Sequence, residues 1–293
     1  MRDLQRWLGL ACLAGMGCTE FSIADKPQEV ITSPGETDEP VTDTAPPADT
    51  DTDTDVPDDL KDDPPIPVAV APVYANTRDT LYEVDPTTGA VTMIGVFQTS
   101  GGAVVDGMVD IAIDMNGQLY GGVGNVNDPD KVLYQIDPTT AVVTEVCRPP
   151  VVMYALTFTS EGLLVAGGSD TLHAISIEND CDFDLLVQVE GYETSGDLVG
   201  LPDGLLYWTI EGEDGDRLVS VNPETGAYTL RGDISFDRLF GLGFDESLNK
   251  LYGFSTDGEI VQIAPSNAGS GLVSQNLNLS WWGAATNPVV WSN

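Results

Sequence analysis

The sequence predicts an all-β chain, a five-bladed β-propeller of four-stranded antiparallel blades placed after a disordered acidic tether. Three observations predict it. A phrase is written twice, "LYEVDPTTGAVTMIG" at 81–95 and "LYQIDPTTAVVTEVC" at 133–147, then paraphrased as "LVSVNPETGAYTLRG" at 218–232. A second kind of segment, a period-2 strand with a turn and another strand, starts at Asp110, Ala155, Asp197 and Gly241, and its opening strand returns at Gly283. Those starts lie 45, 42, 44 and 42 residues apart, and the two kinds of segment alternate along the chain.

Each element has a local cause. In "DIAIDMNGQLYG" from Asp110 or "DLVGLPDGLLYW" from Asp197, apolar residues at every second position mark strands, and "MNG" and "PDG" mark the turn between them. The five copies of the other phrase are "TLYEVDPTTGAV", "VLYQIDPTTAVV", "TLHAISIENDCD", "RLVSVNPETGAY" and "EIVQIAPSNAGS". In "DPTTG" and "NPETG" the Asp or Asn accepts backbone hydrogen bonds, Pro presets φ, and Gly supplies a left-handed residue, so these are hairpin loops. Asp85, Asp137 and Asn222 are therefore expected as turn-formers. Four strands in about 43 residues is the size of one propeller blade. A single blade cannot bury both faces, so blades must stack around an axis.

The copies also say how the ring closes. The phrase at 80–95 lacks a preceding first strand, and the strand at 282–286 lacks the third and fourth that should follow it. Pairing the C-terminal strand with the strand around Tyr74 completes one blade and gives five. "PVYAN" (72–76) and "VVWSN" (289–293) compete for the second strand of that blade. The spacing and the "DPTTG" phrase resemble bacterial extracellular propeller repeats of the YVTN/NHL-like, WD40-superfamily kind, over roughly 70–293. That resemblance implies architecture and not function, because propellers host enzymes, lectins and scaffolds alike.

The chain begins "MRDLQRWLGLACLAGMGC". Arg2 and Arg6 form a positive region, and Trp7 to Gly17 an apolar stretch too short to span a bilayer. The pattern resembles a bacterial lipoprotein signal over residues 1–18, with Cys18 lipidated, although Gly15 stands where a Leu is usual. "GLAC", ending at Cys12, and an ordinary cleaved secretory signal are the alternatives. Thr19 and Glu20 follow Cys18, with no Asp directly after it, which in lipoproteins implies the outer membrane. Residues 19–67 are rich in Asp, Thr and Pro. They have too little apolar surface to offset the entropy of ordering, so they read as an extended tether ahead of a propeller over 68–293. The run "DTDTDTD" (49–55) lacks the Gly that an EF-hand-like loop needs at its sixth position, where Thr54 stands.

Charge narrows the partners. With 47 acidic and 11 basic residues, a net charge of −36 argues against nucleic acid and anionic lipid surfaces, leaving the lipid anchor as the membrane contact. A hydrophobic content of 42% still builds a substantial core. The single His, His173, occupies the place of Tyr82 and Tyr134 in its strand and reads as packing. A His-ligated zinc and a Ser-His-Asp triad both lack support, and no "GxSxG" elbow occurs.

Candidate chemistry falls on one face. The connections between blades and the loops joining second to third strands collect Asp106, Asp128, Asp130, Glu190, Glu193, Glu211, Glu213, Asp214 and Asp216 there. Asp110 and Asp197 begin their first strands at matching positions, which puts two carboxylates at the channel mouth. They read as solvated caps or, alternatively, as a Ca²⁺ site or an acid–base pair. Asp128, Asp130, Glu211 and Asp214, with Trp281 and Trp282, are the candidate ligand-binding residues; Met153-Tyr154 and Leu239-Phe240 are the equivalents of the Trp pair. The aromatic entries read as a stacking surface or as inter-blade packing, and Trp208 as core. The strand register places Cys147 and Cys181 at opposite ends of a blade, which argues against a disulfide. The expected function is a surface-tethered, monomeric binding or scaffold module for a macromolecule or glycan, without a resident cofactor. The alternative is a propeller-type hydrolase or lyase using the channel-mouth carboxylates, with or without Ca²⁺.

Overall fold

The structure is a computed structural model that describes residues 73–124 and 130–286. Five antiparallel sheets of four strands follow one another, each running from an inner first strand to an outer fourth. The five first strands, in blade order, are Gly283–Thr286, Met108–Ile113, Ala155–Phe158, Thr194–Gly200 and Leu239–Asp245. Blade 1 is closed as the repeats predict. Gly283–Thr286 pairs with Val73–Asn76, with Tyr74 opposite Ala285 and Val73 opposite Thr286. "VYAN" is thus the second strand, and "VVWSN" lies outside the described residues. Blade 2 carries a fifth strand that the repeats do not announce. Gln98–Thr99, in the connection leaving blade 1, runs parallel to Val142–Cys147.

The pattern of side chains follows from the stacking. First strands are small or aliphatic and almost wholly buried, as in Gly283–Thr286 and Ala155–Phe158. Fourth strands are edges and are largely exposed or half-buried, as in Tyr228–Asp233. The buried side chains fall into five clusters, one at each junction between neighbouring blades. The cluster closing the ring joins Val73, Val84 and Ala284 of blade 1 to Tyr252, Phe254 and Ile260 of blade 5, with Trp281 at its centre. Trp208 is fully buried and donates from Nε1 to Thr194 Oγ1 at 2.9 Å.

The hairpin loops behave as expected. Asp85 Oδ1 accepts from the Thr87 N–H at 2.9 Å, Asp137 Oδ1 from Thr139 N at 2.8 Å, and Asn222 Oδ1 from Glu224 N and Thr225 N at 2.9 Å. Hydrogen bonds from the following threonines hold the Asp85 and Asp137 carboxyls below the usual range. The last residue of the turn is left-handed in every blade: Gly89, Ala141, Cys181, Gly226 and Ala268 have φ of 73°, 59°, 58°, 69° and 58°.

That repeated position corrects one expectation. Cys147 and Cys181 form a disulfide, with Cα atoms 5.9 Å apart. The expectation treated a blade as flat, whereas strands twist progressively outward. The twist swings the far end of each fourth strand onto the hairpin loop of the next blade. Each fourth strand has a bulge, and the residue just after it meets the next blade's left-handed residue. A methyl on Gly95 would contact Ala141, one on Gly226 would contact Val187, one on Gly232 would contact Ala268, and one on Gly89 would contact Ser274. Cys147 and Cys181 are the fifth instance of this contact, between blades 2 and 3, and the one that is covalent.

Candidate functional site

In a propeller the first strands splay around the axis without pairing, which leaves inner-edge N–H groups to be satisfied by side chains. Asp110 and Asp197 do this. Asp110 accepts from its own neighbour Ile111 N at 2.7 Å and from Leu156 N of the next blade at 2.5 Å. Asp197 accepts from Leu198 N and, across to the next blade, from Leu242 N, both at 2.5 Å. One level further along the axis, Thr157 Oγ1 accepts from Gly200 N at 3.0 Å, and Thr286 Oγ1 accepts from Phe244 N. The equivalents of the two acids in the other blades are Ala155, Gly241 and Gly283. Small residues are required there: a Cβ on Gly283 would lie 2.2 Å from Asp110 Oδ1.

The two carboxyls, expected at a solvated mouth, are fully buried and lie beside each other. Burial pushes both up. Asp110, with the Asp197 charge beside it, is held well above the usual carboxylate range, and Asp197 is pushed up to about 7. Asp197 keeps more of its acidity because the neighbouring Asp110 side chain first, and then backbone N–H groups such as those of Leu198 and Leu242, favour its charge. Two adjacent buried carboxyls cannot readily ionise together, so the pair favours holding a proton. Ca²⁺ takes six to eight oxygens, whereas these oxygens already face N–H donors. Beyond the pair, the axial space lined by Ile113, Phe158, Leu242 and Ala285 is only ≈ 10 Å³, room for one water. Among the described residues no group of three or more His, Cys, Asp or Glu could hold a metal ion.

Above this plug opens a cleft of ≈ 890 Å³ on the face where first strands enter. One wall comes from blades 5 and 1. There the Arg78 guanidinium lies 5.0 Å from the Trp282 ring centre, and Trp282 meets Phe240 edge-on at 6.1 Å. Arg238 enters the cleft two residues before Phe240, in a left-handed conformation (φ 56°). Trp282 is held by its N–H, which donates to Asn76 O at 2.8 Å. Blade 4 contributes Glu193 and Glu211, whose strand ends are tied by Glu211 N to Glu193 O at 2.9 Å. Tyr154, Asp106 and Asp237 complete the rim. Beneath it Asp216, 1% exposed, accepts from Ser195 Oγ at 2.5 Å and Leu239 N at 2.8 Å; burial is the main reason its carboxyl is pushed up to about 6.

The structure sorts the expected ligand-binding residues. Glu211 and Trp282 line the cleft. Trp281 does not: it is fully buried, packed edge-on against Tyr82 at 5.4 Å and Phe254 at 5.8 Å, so it is inter-blade core. The two tryptophans immediately precede the strand Gly283–Thr286, and of the pair Trp282 lines the cleft while Trp281 is core. Asp130 is exposed and pairs with Arg148 at 3.5 Å, and Asp214 is exposed; neither lines the cleft. Asp128, Cys18 and the acidic tether lie outside the described residues. His173 packs edge-on against Phe183 at 5.7 Å, and burial lowers its pKa. Arg78 and Arg238 were not singled out by the sequence; they sit on loops of different blades, and only ring closure brings both to one wall.

No family model matches the chain, and no curated protein matches it in sequence. Among solved structures it is similar to the crystal structure of a nidogen/laminin complex, at 10% identity over 75% of this chain and 99% of that one, with a TM-score of 0.49. A protein of unknown function from Bacteroides thetaiotaomicron matches at 12% identity over 75% of this chain and 61% of that one, with a TM-score of 0.47. Virginiamycin B lyase from Staphylococcus aureus matches at 12% identity over 69% of each chain, with a TM-score of 0.39. At these identities nothing about activity or partners is carried over to this protein.

Proposed function

We propose that this protein is an envelope-anchored lipoprotein whose propeller binds a glycan, presented on a macromolecule or free, in the cleft over its axis. The observation that carries the reading is the combination of a ≈ 890 Å³ cleft walled by half-buried aromatics with an axis sealed beneath it. Aromatic faces at a cleft wall suit the apolar faces of sugar rings, and the carboxylates and guanidinia around them suit hydroxyls. The hydrolase or lyase reading has less support, because Asp110 and Asp197 would have to reach a substrate, and both are fully buried.

Glycan-array screening of the full chain is the test, followed by Trp282→Ala on whichever glycan is retained. Loss of the indole face should weaken binding at least tenfold, about 1.4 kcal/mol. An array without specific signal, or binding unchanged by the substitution, would remove the reading.

The anchor is proposed from the signal pattern ending at Cys18, with the acidic segment as a spacer reaching roughly 3 Å per residue where extended. Expressed in a Gram-negative host, the wild-type chain should fractionate with outer membranes and Cys18→Ala should become soluble. Identical fractionation of the two would defeat lipidation at Cys18.

A further inference from the structure

We infer that the cleft selects an acidic saccharide, one whose sugar carboxylates are met by Arg78 and by Arg238 at the two ends of the wall while its rings lie on Trp282 and Phe240. The inference rests on the glycan reading and adds the charge of the ligand to it.

Cationic side chains are scarce in this domain. Residues 73–286 contain seven Lys and Arg in all, and two of them line this one cleft. They lie along a continuous wall: Arg78 over Trp282, Trp282 against Phe240, and Arg238 two residues before Phe240. Other arginines of the domain are engaged elsewhere. Arg148 pairs with Glu145, Arg217 with Asp233, and Arg231 lies over Tyr207. A wall that merely had to accept neutral sugars would need the aromatic rings and not the guanidinia.

Each cleft arginine is also held in place with donors to spare. Arg78 contacts Asp106 through Nε at 3.4 Å, and its side chain is 53% exposed. Arg238 contacts Asp257 through one Nη, and its side chain is 52% exposed. A guanidinium has five N–H donors in a planar fork, so one ion pair leaves donors able to grip a carboxylate in two places. Stacking on Trp282 fixes the plane of the Arg78 fork, which reduces the entropy lost on binding. The main-chain carbonyl of Arg78 is pinned as well, accepting from Gly107 N at 3.0 Å and Met108 N at 2.9 Å.

Blade 4 fits the rest of such a ligand. Glu193 and Glu211 are exposed acceptors, suited to ring hydroxyls. The overall negative charge does not bar an anion here. Distant carboxylates are screened beyond about 8 Å at physiological ionic strength. Asp106, Asp237, Glu193 and Glu211 line the cleft itself, so the anion is held by the guanidinium forks of the Arg78–Trp282–Phe240–Arg238 wall and not by the cleft's net charge.

The test is calorimetric titration of the full chain with oligomers of galacturonate, glucuronate and mannuronate, each beside its own methyl ester. The ester keeps every hydroxyl and ring face and removes only the charge. At least one acid oligomer should bind ten times more tightly than its ester. Arg78→Gln and Arg238→Gln should each weaken the acid form about tenfold and leave the ester within twofold, so ester binding also shows that the variants are folded. Equal affinity for acid and ester, or arginine variants without effect, would overturn the inference and leave the glycan reading standing. No binding to any of the six oligomers, together with a blank array, would overturn both.

Discussion

Asp197→Ala should destabilise the folded propeller by roughly 2–6 kcal/mol, the cost of leaving two buried backbone donors without acceptors at about 1–3 kcal/mol each. Those donors are Leu198 N and Leu242 N, and the second belongs to the neighbouring blade, so the loss is felt at a junction. The pair also gives stability a specific pH dependence. A carboxyl whose folded pKa is raised takes up a proton on folding. Its contribution is complete below the unfolded value of about 4 and is lost as pH rises through the folded value. For Asp197 that folded value is about 7, and Asp216, at about 6, acts in the same direction. Between pH 4 and 7, then, the melting temperature should fall as pH rises, at roughly 1.4 kcal/mol of stability per pH unit for each proton involved. Asp110→Asn removes one of the two raised carboxyls and should reduce this slope, leaving the parts due to Asp197 and Asp216. Thermal scans at several pH values decide it. A wild-type melting temperature that rises from pH 5 to 7, or that rises on adding Ca²⁺ at pH 7.5, would show that the pair is not held together by a proton.

The second large effect concerns the disulfide. Cys147→Ser opens a loop with a sequence separation of 34, and chain entropy puts the cost at about 3–4 kcal/mol. In a domain of this size that is roughly 10 °C of melting temperature. The fold should survive, because the other four junctions make the same contact without a covalent bond. Nonreducing peptide mapping should recover the segments around 147 and 181 linked, and reduction should lower the wild-type melting temperature to that of Cys147→Ser. Recovery of both cysteines as free thiols from the unreduced chain would refute the pairing.

These two sites show where sequence reasoning stopped. Period, strand count and turn chemistry are local, so the five repeats, the roles of Asp85, Asp137 and Asn222 and the closing strand were all legible. The disulfide depends on the accumulated twist of four strands, which no linear register contains. Asp110 and Asp197 were legible as a matched pair at strand starts. Their burial was not, because it follows from first strands splaying around an axis and leaving N–H groups to be capped. Trp281 and Trp282 are neighbours in the connection just before the strand Gly283–Thr286, and which of them faces the cleft depends on how that connection packs between blades 5 and 1. Arg78 and Arg238 belong to no repeated motif. Their meeting is a product of closure, since Arg78 comes from the first blade and Arg238 from the connection entering the last.

Closure is accordingly the claim on which the cleft, its wall and its plug all depend, and hydrogen exchange on the intact chain tests it most directly. If Gly283–Thr286 is the inner strand of blade 1, its amides and those of Val73–Asn76 should exchange as slowly as the amides of Met108–Ile113, opening only with global unfolding. Exchange of 283–286 within seconds, while Met108–Ile113 stays protected, would mean that the C-terminal strand does not close the ring.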